Sequence, residues 1–388
     1  MMDRWRASEL EAIKRRIRDL AVSLGASAVR VARADADHQT ARTMKAAFAR
    51  KDFETWPYGE AYARTASDPS HILEGAQAVI CIAVPYRMPV PRPTLLQGRV
   101  SNYAWPVDYH RRIQAMLREL AQRIDECAGG PVCAVACDTK PLAERAFAAQ
   151  AGLGWIGKHT NLISPAAGSF VFLGEVVTTL PLQADPPLRK TCGSCARCVP
   201  ACPTRALRGD YTIDAVKCIS DLTQRTDAIP RDMRALIGTW IWGCDICQEV
   251  CPPNERVLPP IETAPPASSA AAAPQLVELL KLRSGEFKRT FAPTAMGWRG
   301  AAVLRRNAAV ALGNALDRST VPALVSSLQA DPHPMVRGHA AWALGRIGSA
   351  AAIGALQAGA RSEDDASVRE EIRAALEPFP AGRALHPV

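Results

Sequence analysis

The chain has 388 residues, of which 48% are hydrophobic and 22% are charged, and this composition is typical of folded globular proteins. No apolar run approaches the ~20 residues that span a bilayer, so we do not expect a transmembrane protein. The net charge of +9 favours weak attraction to polyanions without identifying one. At roughly 150 residues per domain, the length predicts two or three domains.

The N-terminal segment contains two adjacent arginines, Arg15 and Arg16, as some export signals do. No apolar core follows them. The segment instead predicts an amphipathic helix that begins with a capping box of Ser8 and Glu11 and ends before Gly25. Its apolar residues recur every three or four positions, at Leu10, Ile13, Ile17, Leu20 and Leu24. We therefore expect a cytoplasmic protein.

Residues 28–185 alternate strand-like apolar runs with helical patterns. The runs lie at 79–84, 132–136 and 170–177, and a helical pattern lies between the first two. This alternation predicts an α/β domain over residues 1–185.

Eight of the twelve cysteines fall between residues 192 and 251. One run has the spacing C-x₂-C-x₂-C-x₃-C-P, which is the bacterial ferredoxin signature for [4Fe–4S] clusters. A second, incomplete run follows, with its first cysteine displaced by an insertion. In two-cluster ferredoxins the fourth cysteine of each run serves the other cluster. One predicted cluster therefore has the ligands Cys192, Cys195, Cys198 and Cys251. The other has Cys202, Cys218, Cys244 and Cys247.

Zinc is the alternative, because Cys₄ zinc sites also use C-x-x-C pairs. Zinc sites usually combine two such pairs, however, whereas the first run places four cysteines in close succession. We therefore predict a ferredoxin-like domain with two [4Fe–4S] clusters over residues 186–258. The four other cysteines, Cys81, Cys127, Cys133 and Cys137, are interpreted as small apolar residues.

The C-terminal third repeats itself. Residues 259–275 are rich in Pro, Ala and Ser and predict a linker. Beyond it, residues 306–313 resemble residues 337–345, whose Leu-Gly ends lie 32 positions apart, and residues 368–376 begin the pattern again. Such a period predicts α-helical HEAT-like repeats over residues 276–388. The alternative is a small helical bundle with accidental similarity.

Two further motifs precede the cysteines. Gly152, Gly154 and Gly157 match G-x-G-x-x-G, but they follow a helix-like stretch, so we do not expect dinucleotide binding. Close approach of this backbone to a flat cofactor remains open. Asp138 follows the apolar run 132–136, and open α/β sheets present reactive groups at strand carboxyl ends. It is a candidate acid, with an N-cap for the next helix as the alternative.

Several of these segments together resemble the epoxyqueuosine reductases, cobalamin-dependent iron–sulfur enzymes that complete queuosine in tRNA. The resemblance rests on all eight cysteines and on residues 138–145, 151–158, 168–175 and 243–248. It implies an electron path from two [4Fe–4S] clusters to cob(II)alamin, which would reduce the epoxide of epoxyqueuosine at the wobble position and leave an alkene. It also implies that Asp138 is the proton donor, and we expect burial against the corrin to raise the pKa of Asp138.

The resemblance also implies binding residues. The expected cobalamin contacts are Arg64, Asn102, Asp138, Asn161, Leu162, Ile163, Ser169, Leu173, Cys244 and Asp245. The expected tRNA contacts are Lys281, Arg283, Lys288, Arg289, Arg305 and Arg306. A solvated helical face is the alternative for this basic segment. The expected partners are tRNA carrying epoxyqueuosine and a low-potential electron donor such as ferredoxin or flavodoxin, and we expect a monomer.

The chain departs from the family pattern at Asn102, Pro106, Lys140 and Asp221, and residues 59–69 look shortened. These departures bear on corrin contacts and on the substrate. Two other functions stay open on the sequence: a corrinoid iron–sulfur reductase of another substrate, similar to reductive dehalogenases, and a non-enzymatic ferredoxin-type electron carrier.

Overall fold

A computed structural model describes residues 5–88, 93–257 and 269–377. The chain folds into two compact units, each assembled from three segments. The sheet unit contains the described residues of 5–88, 108–216 and 246–257. The repeat unit contains those of 93–107, 217–245 and 269–377. The predicted division into consecutive domains, at 185, 258 and 275, stays a prediction.

The strands are β1 (Ala28–Arg33), β2 (Ala78–Pro85), β3 (Arg99–Val100), β4 (Cys133–Ala136), β5 (Trp155–Ile156), β6 (Leu162–Ile163), β7 (Val171–Thr178) and β8 (Trp240–Trp242). The first ten helices are α1 (Ala7–Ser23), α2 (His38–Ala49), α3 (Glu60–Ala66), α4 (Tyr109–Ala128), α5 (Glu144–Gln150), α6 (Cys198–Ala201), α7 (Ile219–Gln224), α8 (Arg231–Arg234), α9 (Ile246–Glu249) and α10 (Pro252–Glu255). The others are α11 (Ser269–Ala272), α12 (Leu276–Leu280), α13 (Ser284–Thr290), α14 (Ala301–Ala315), α15 (Val321–Ala330), α16 (Pro334–Ile347), α17 (Ala350–Ser362) and α18 (Ala366–Leu376).

The sheet unit is built on a four-stranded sheet in the order β1-β2-β7-β4. Its three predicted apolar runs form β2, β4 and β7, as expected from their β-branched and apolar residues. Every neighbouring pair is antiparallel. The argument that placed Asp138 at the reactive edge of an open α/β sheet was therefore wrong in its premise, because that rule concerns parallel strands.

Helix α4 covers this sheet with the apolar face that its periodicity predicts. Its buried residues include Ile113, Leu117, Leu120 and Ile124. Ile113 and Leu117 lie directly over Gly174 of β7, where an added Cβ would be 2.8 Å from the Ile113 side chain. Burial of each such side chain contributes roughly 1.5–3 kcal/mol. The helix ends at Gly129, whose φ of 72° suits a left-handed cap.

The predicted N-terminal helix is present as α1, but its start differs. Arg6, rather than Ser8, is the N-cap, and the Arg6 N–H donates to Glu9 Oε2 over 2.9 Å. The predicted capping box of Ser8 and Glu11 was wrong because the helix begins before Ser8. No helix in the described ranges is both long and apolar enough to cross a membrane.

The repeat unit contains the predicted stacked helices. Helices α14, α16 and α18 pack in succession, with α15 and α17 beside them. Small residues allow close approach: a Cβ on Gly313 would be 2.8 Å from the Trp342 ring. Arg305 pairs with Asp331 at 2.7 Å, and Arg337 pairs with Glu363 at 2.8 Å. Arg305 is thus the structural counterpart of Arg337. The alignment predicted from the sequence had instead paired Arg306 with Arg337.

The predicted linker is folded at its C-terminal end. Residues 259–268 lie outside the described part of the chain. Residues 269–272 form α11, in which Ala271 and Ala272 are buried, and Gln275 bridges to Gln97. Alanine is the strongest helix former, so this low-complexity composition was also compatible with a buried helix.

Candidate functional site

Asp138 lies in the loop between β4 and α5 and is held by two residues from the start of α4. Tyr109 Oη donates to Asp138 Oδ2 over 2.7 Å, and His110 Nε2 lies 3.2 Å from the same oxygen. The other imidazole nitrogen, Nδ1, lies 2.7 Å from Asp108 Oδ1. The Asp138 side chain is still 61% exposed, so its carboxyl can reach a ligand. Tyr109 and His110 were not singled out from the sequence, because they lie 29 and 28 positions from Asp138 along the chain.

A row of stacked aromatic rings supports this arrangement. The Tyr109 ring lies 4.1 Å from the His110 ring and 4.2 Å from the Phe172 ring. On its other side, Phe172 of β7 lies 4.4 Å from Tyr86. Stacked rings of this kind fix one another's orientation. The row therefore connects the buried sheet to the imidazole that contacts Asp138.

The electrostatics of Asp138 differ from the sequence-based expectation. Its hydrogen bond with His110 holds the pKa of Asp138 below its ordinary value. Hydrogen bonds with Asp108 and then Asp138 raise the pKa of His110 to about 9. At neutral pH the proton therefore resides on His110. The expectation of a raised Asp138 pKa concerned burial against the corrin and stays a prediction; within the protein chain itself, the cationic partner outweighs burial.

A second aromatic group lies near this carboxyl and was missed from the sequence. The Tyr58 and Tyr62 rings stack 4.4 Å apart, and Phe48 lies within 6.5 Å of both. Burial, together with the charges of Tyr58 and Asp138, raises the pKa of Tyr62 to about 12. The sequence from α2 to α3 carried no motif that would have singled these residues out.

The glycine motif accommodates protein backbone. Gly152 has φ +75°, and a Cβ there would collide with the Pro186 carbonyl oxygen. A Cβ on Gly154 would lie 2.5 Å from the Ile163 carbonyl oxygen. Two of the three glycines thus allow neighbouring backbone segments to pack closely. Their presence therefore does not require the contact with a flat cofactor that the sequence left open.

Four of the predicted cluster ligands come together within the sheet unit. Cys192 and Cys251 pack around Trp155 and Ile163. Burial raises the pKa of the Cys251 thiol to about 12, and the neighbouring charges of Cys192, Cys198 and Cys195 add to this effect. The Lys158 N–H lies 3.4 Å from Cys192 Sγ and donates to it. Mutually repelling thiolates that also accept an N–H bond are a donor set suited to an iron–sulfur cluster.

The second predicted quartet draws on both units. Cys202 and Cys247 belong to the sheet unit, where α6 and α9 pack together. Cys218 and Cys244 belong to the repeat unit. In the described part of the chain, no three His, Cys, Asp or Glu side chains surround a position for a single metal ion.

The predicted cobalamin contacts also divide between the units. In the sheet unit, Leu162 and Ile163 are buried, whereas Asn161 and Leu173 are partly exposed. The Ser169 hydroxyl is already engaged: it donates to Gln248 Oε1 over 2.9 Å. Arg64 is exposed on α3.

In the repeat unit the carboxylate of Asp245 accepts hydrogen bonds from the distant segment that contains Ser101 and Asn102. Ser101 Oγ donates to Asp245 Oδ1 over 2.6 Å, and the Asn102 N–H donates to Oδ2 over 2.7 Å. Asn102, where the chain departs from the expected family pattern, is fully buried. Cys244 is half-buried beside Asp245. All ten predicted cobalamin contacts stay predictions.

Two of the predicted tRNA contacts are structural instead. Arg306 is fully buried and donates to the backbone carbonyl oxygens of Leu222, Thr223, Arg225 and Asp227. Arg305 is 12% exposed and is paired with Asp331. Neither side chain is placed to meet a phosphate, because both are committed to their own unit. The periodicity of the helix could not reveal the burial of these arginines, because the sequence pattern around a buried arginine is the same as that around an exposed one.

The other four basic residues are exposed: Lys281, Arg283, Lys288 and Arg289. Nearby, the Arg299 guanidinium lies 3.6 Å from the centre of the Trp298 ring, which is 53% exposed. Basic groups beside an exposed aromatic ring are typical of nucleic-acid-binding surfaces.

Comparisons with known proteins agree with these features. Residues 191–254 match the family model "4Fe-4S double cluster binding domain", and residues 299–377 match "HEAT repeats". Residues 67–139 match "Epoxyqueuosine reductase QueG, DUF1730". The epoxyqueuosine reductase of Bacillus anthracis is 35% identical over 320 residues, covering 80% of this chain and 83% of the relative. That of Staphylococcus aureus is 32% identical, covering 93% and 95%.

Solved structures give the same result. An epoxyqueuosine reductase with an epoxyqueuosine-modified tRNA-Tyr stem loop has a TM-score of 0.88 and 31% identity, covering 95% of this chain and 99% of the other. The Bacillus subtilis enzyme, with an aspartate catalytic loop swung out of its active site, has a TM-score of 0.89 and 30% identity, covering 96% and 100%.

The fold and the cysteines define a redox protein with a double [4Fe–4S] region and HEAT repeats. More specifically, the chain belongs to the epoxyqueuosine reductase family. The resemblance to this family, which was predicted from the sequence, is thereby confirmed. The predicted fold class and the prediction of an oxidoreductase are confirmed as well.

Proposed function

We propose that this chain reduces the epoxide of epoxyqueuosine in tRNA to the alkene of queuosine. The observation that carries the proposal is the exposed carboxyl of Asp138, held by Tyr109 and His110 in a member of the epoxyqueuosine reductase family. A relative solved with an epoxyqueuosine-modified stem loop supports tRNA as the substrate. Conversion of an epoxide to an alkene consumes two electrons and two protons and releases water.

Protein side chains cannot supply such electrons, so redox cofactors are required. We assign Cys192, Cys195, Cys198 and Cys251 to one [4Fe–4S] cluster. The second cluster takes Cys202, Cys218, Cys244 and Cys247. Cobalamin, when bound, supplies the electrons that break the C–O bonds. In the sheet unit, Asn161 and Leu173 are accessible enough to hold it with side chains.

The chain's own contribution is proton delivery. His110 Nε2 lies 3.2 Å from Asp138 Oδ2 and passes its proton to this carboxylate, which delivers it to the departing epoxide oxygen. The raised pKa of His110, about 9, keeps that proton in place at neutral pH. Tyr109 Oη fixes the carboxyl through a 2.7 Å hydrogen bond and sets its direction. Asp138 is the catalytic acid, and the other two are positioning residues.

The tRNA phosphates are contacted by the exposed residues Lys281, Arg283, Lys288 and Arg289. Arg305 and Arg306 do not contact the phosphates. A low-potential ferredoxin or flavodoxin supplies the electrons, and the enzyme acts as a cytoplasmic monomer.

Mass spectrometry of tRNA nucleosides tests the reaction. Cells that lack the gene should accumulate epoxyqueuosine, and the wild-type gene should restore queuosine. Asp138→Asn should fail to restore it, whereas Asp19→Asn, the same change at an exposed position on α1, should succeed.

Unaltered queuosine in the deletion strain would refute the assigned reaction. Restoration by Asp138→Asn would remove that residue from the acid role. An absorption spectrum after anaerobic reconstitution tests the cofactors separately: iron–sulfur bands without corrin bands would support an electron carrier instead.

A further inference from the structure

Glu175 is a fully buried carboxyl in the middle of β7. It lies opposite Cys81 of β2 and Ala136 of β4. Neither of its carboxyl oxygens accepts a hydrogen bond from any N–H or O–H group of the described residues. A carboxylate without donors is unfavourable in such a place, so the environment selects the protonated acid.

Helix α5 packs against β7, and the carboxyl of Glu144 at the start of α5 is a close charged neighbour of Glu175. Two carboxyls can form a hydrogen bond only when one of them carries a proton. Burial and the charge of Glu144 raise the pKa of Glu175 well above its ordinary value. Burial raises the pKa of Glu144 to about 7. The pair therefore holds at least one proton at neutral pH, and Glu175 is the residue that carries it.

Glu144 also contacts the catalytic loop. The backbone N–H of Asp138 donates to Glu144 Oε1. Asp138 itself has φ 52°, a left-handed conformation that non-glycine residues adopt at an energetic cost. The loop needs a fixed acceptor at this N–H to keep that conformation, and Glu144 is that acceptor.

We propose that Glu175 is a neutral carboxylic acid that donates a hydrogen bond to Glu144, and that this pair positions the Asp138 backbone for proton transfer. The inference rests on the proposed role of Asp138. Both glutamates are positioning residues, since neither contacts the substrate in this scheme.

The other ionisable groups around the pair do not provide an alternative partner for Glu175. Asp138 adds a further negative charge, and the buried thiol of Cys81 and that of Cys137 are held neutral by burial. The nearby cation, Arg145, donates to the Thr160 carbonyl oxygen over 2.8 Å. The negative surroundings therefore reinforce protonation of Glu175.

Infrared spectroscopy of the purified holoenzyme at pH 7 tests the protonation directly. The C=O stretch of a buried carboxylic acid, which shifts in D₂O, should be present in the wild type and in Glu119→Gln, a control on the exposed face of α4. It should vanish in Glu175→Gln. A wild type without this band would overturn the proposal, whatever the enzyme's substrate.

Turnover of an epoxyqueuosine-containing stem loop tests the positioning. Glu175→Gln keeps a neutral donor towards Glu144 and should stay within about threefold of wild type. Glu175→Val removes it and should lower kcat about tenfold or more with little change in KM, as expected for one lost hydrogen bond. Equal turnover of these two variants would refute the role.

Cluster absorbance and circular dichroism show whether each variant folds. If Glu175→Val does not fold, the infrared band and the turnover of Glu175→Gln decide: a Gln variant as impaired as Asp138→Asn would contradict the neutral-donor role. Absence of turnover in the wild type would instead refute the proposed function and leave the infrared result standing.

Discussion

Asp108→Asn tests whether Asp108 raises the pKa of His110, the residue that supplies the proton to Asp138. Asp108 caps α4, and its Oδ1 accepts from the His110 backbone N–H over 3.1 Å and contacts His110 Nδ1 at 2.7 Å. Asparagine is an equally good N-cap, so the substitution removes the charge and keeps the helix start. Its expected effect is therefore on the imidazole.

The size of the effect follows from the site. The pKa of His110 is about 9 against an ordinary 6.5, a difference worth roughly 3 kcal/mol at ~1.4 kcal/mol per pH unit. Asp108 contributes more than Asp138. His110 is 25% exposed and Asp108 31%, so solvent screening reduces the share of Asp108 to roughly 1–2 kcal/mol. The pKa of His110 should fall by about one pH unit.

Two measurements check this expectation. The alkaline limb of kcat/KM, which reports on the free enzyme, should move from about pH 9 to about pH 8. Stabilisation by protonated His110 is fully present below pH 6.5 and is lost as the pH rises through about 9. The loss of melting temperature in Asp108→Asn should therefore be largest below pH 6.5 and disappear above pH 9.

Asp37→Asn is the matched control, because Asp37 caps α2 through the backbone N–H groups of Gln39 and Thr40. It should leave the pH profile unchanged. If Asp108→Asn also leaves the alkaline limb unchanged, His110 is not the residue that supplies the proton to Asp138, and the proposed proton transfer is wrong.

Three other substitutions test the remaining assignments. Arg306→Met leaves four carbonyl oxygens without this donor and should cost roughly 3–5 kcal/mol, seen as a lower urea midpoint, whereas Arg289→Met at an exposed position should change it little; equal midpoints would contradict the structural role of Arg306. Neutralising Lys288 and Arg289 together should weaken tRNA binding and reduce the salt slope by about 2, and an unchanged slope would assign them to a solvated face. Cys251→Ser should remove about half of the iron, while Cys127→Ser, at an exposed thiol, should remove none; full iron content in Cys251→Ser would refute its assignment as a ligand.

The family and the main architectural parts could be predicted from local sequence patterns. Cluster cysteines must reach one small cofactor, so their spacing is fixed within a few residues, as in Cys192, Cys195 and Cys198. The 32-residue period reveals the repeats because each helix pair buries the same face. The strands β2 and β7 were found because they are largely buried and form continuous apolar runs, and the partly buried β4 was found from its short apolar run.

Other features depend on residues that lie far apart along the chain. His110 and Asp138 are 28 positions apart, and Glu144 influences Glu175 only because α5 packs against β7. The burial of Arg306, the antiparallel sheet and the helical end of the predicted linker were likewise decided by packing.

The sequence by itself determined the double iron–sulfur region, the repeat architecture and the family, and it singled out Asp138 as a candidate acid. Only the tertiary structure decided where the acid's proton resides, which arginines are exposed and which buried carboxyl stays neutral. The physical reason is that spacing and periodicity are properties of a short segment, whereas burial, charge and hydrogen bonding are set by all the segments that pack around a group.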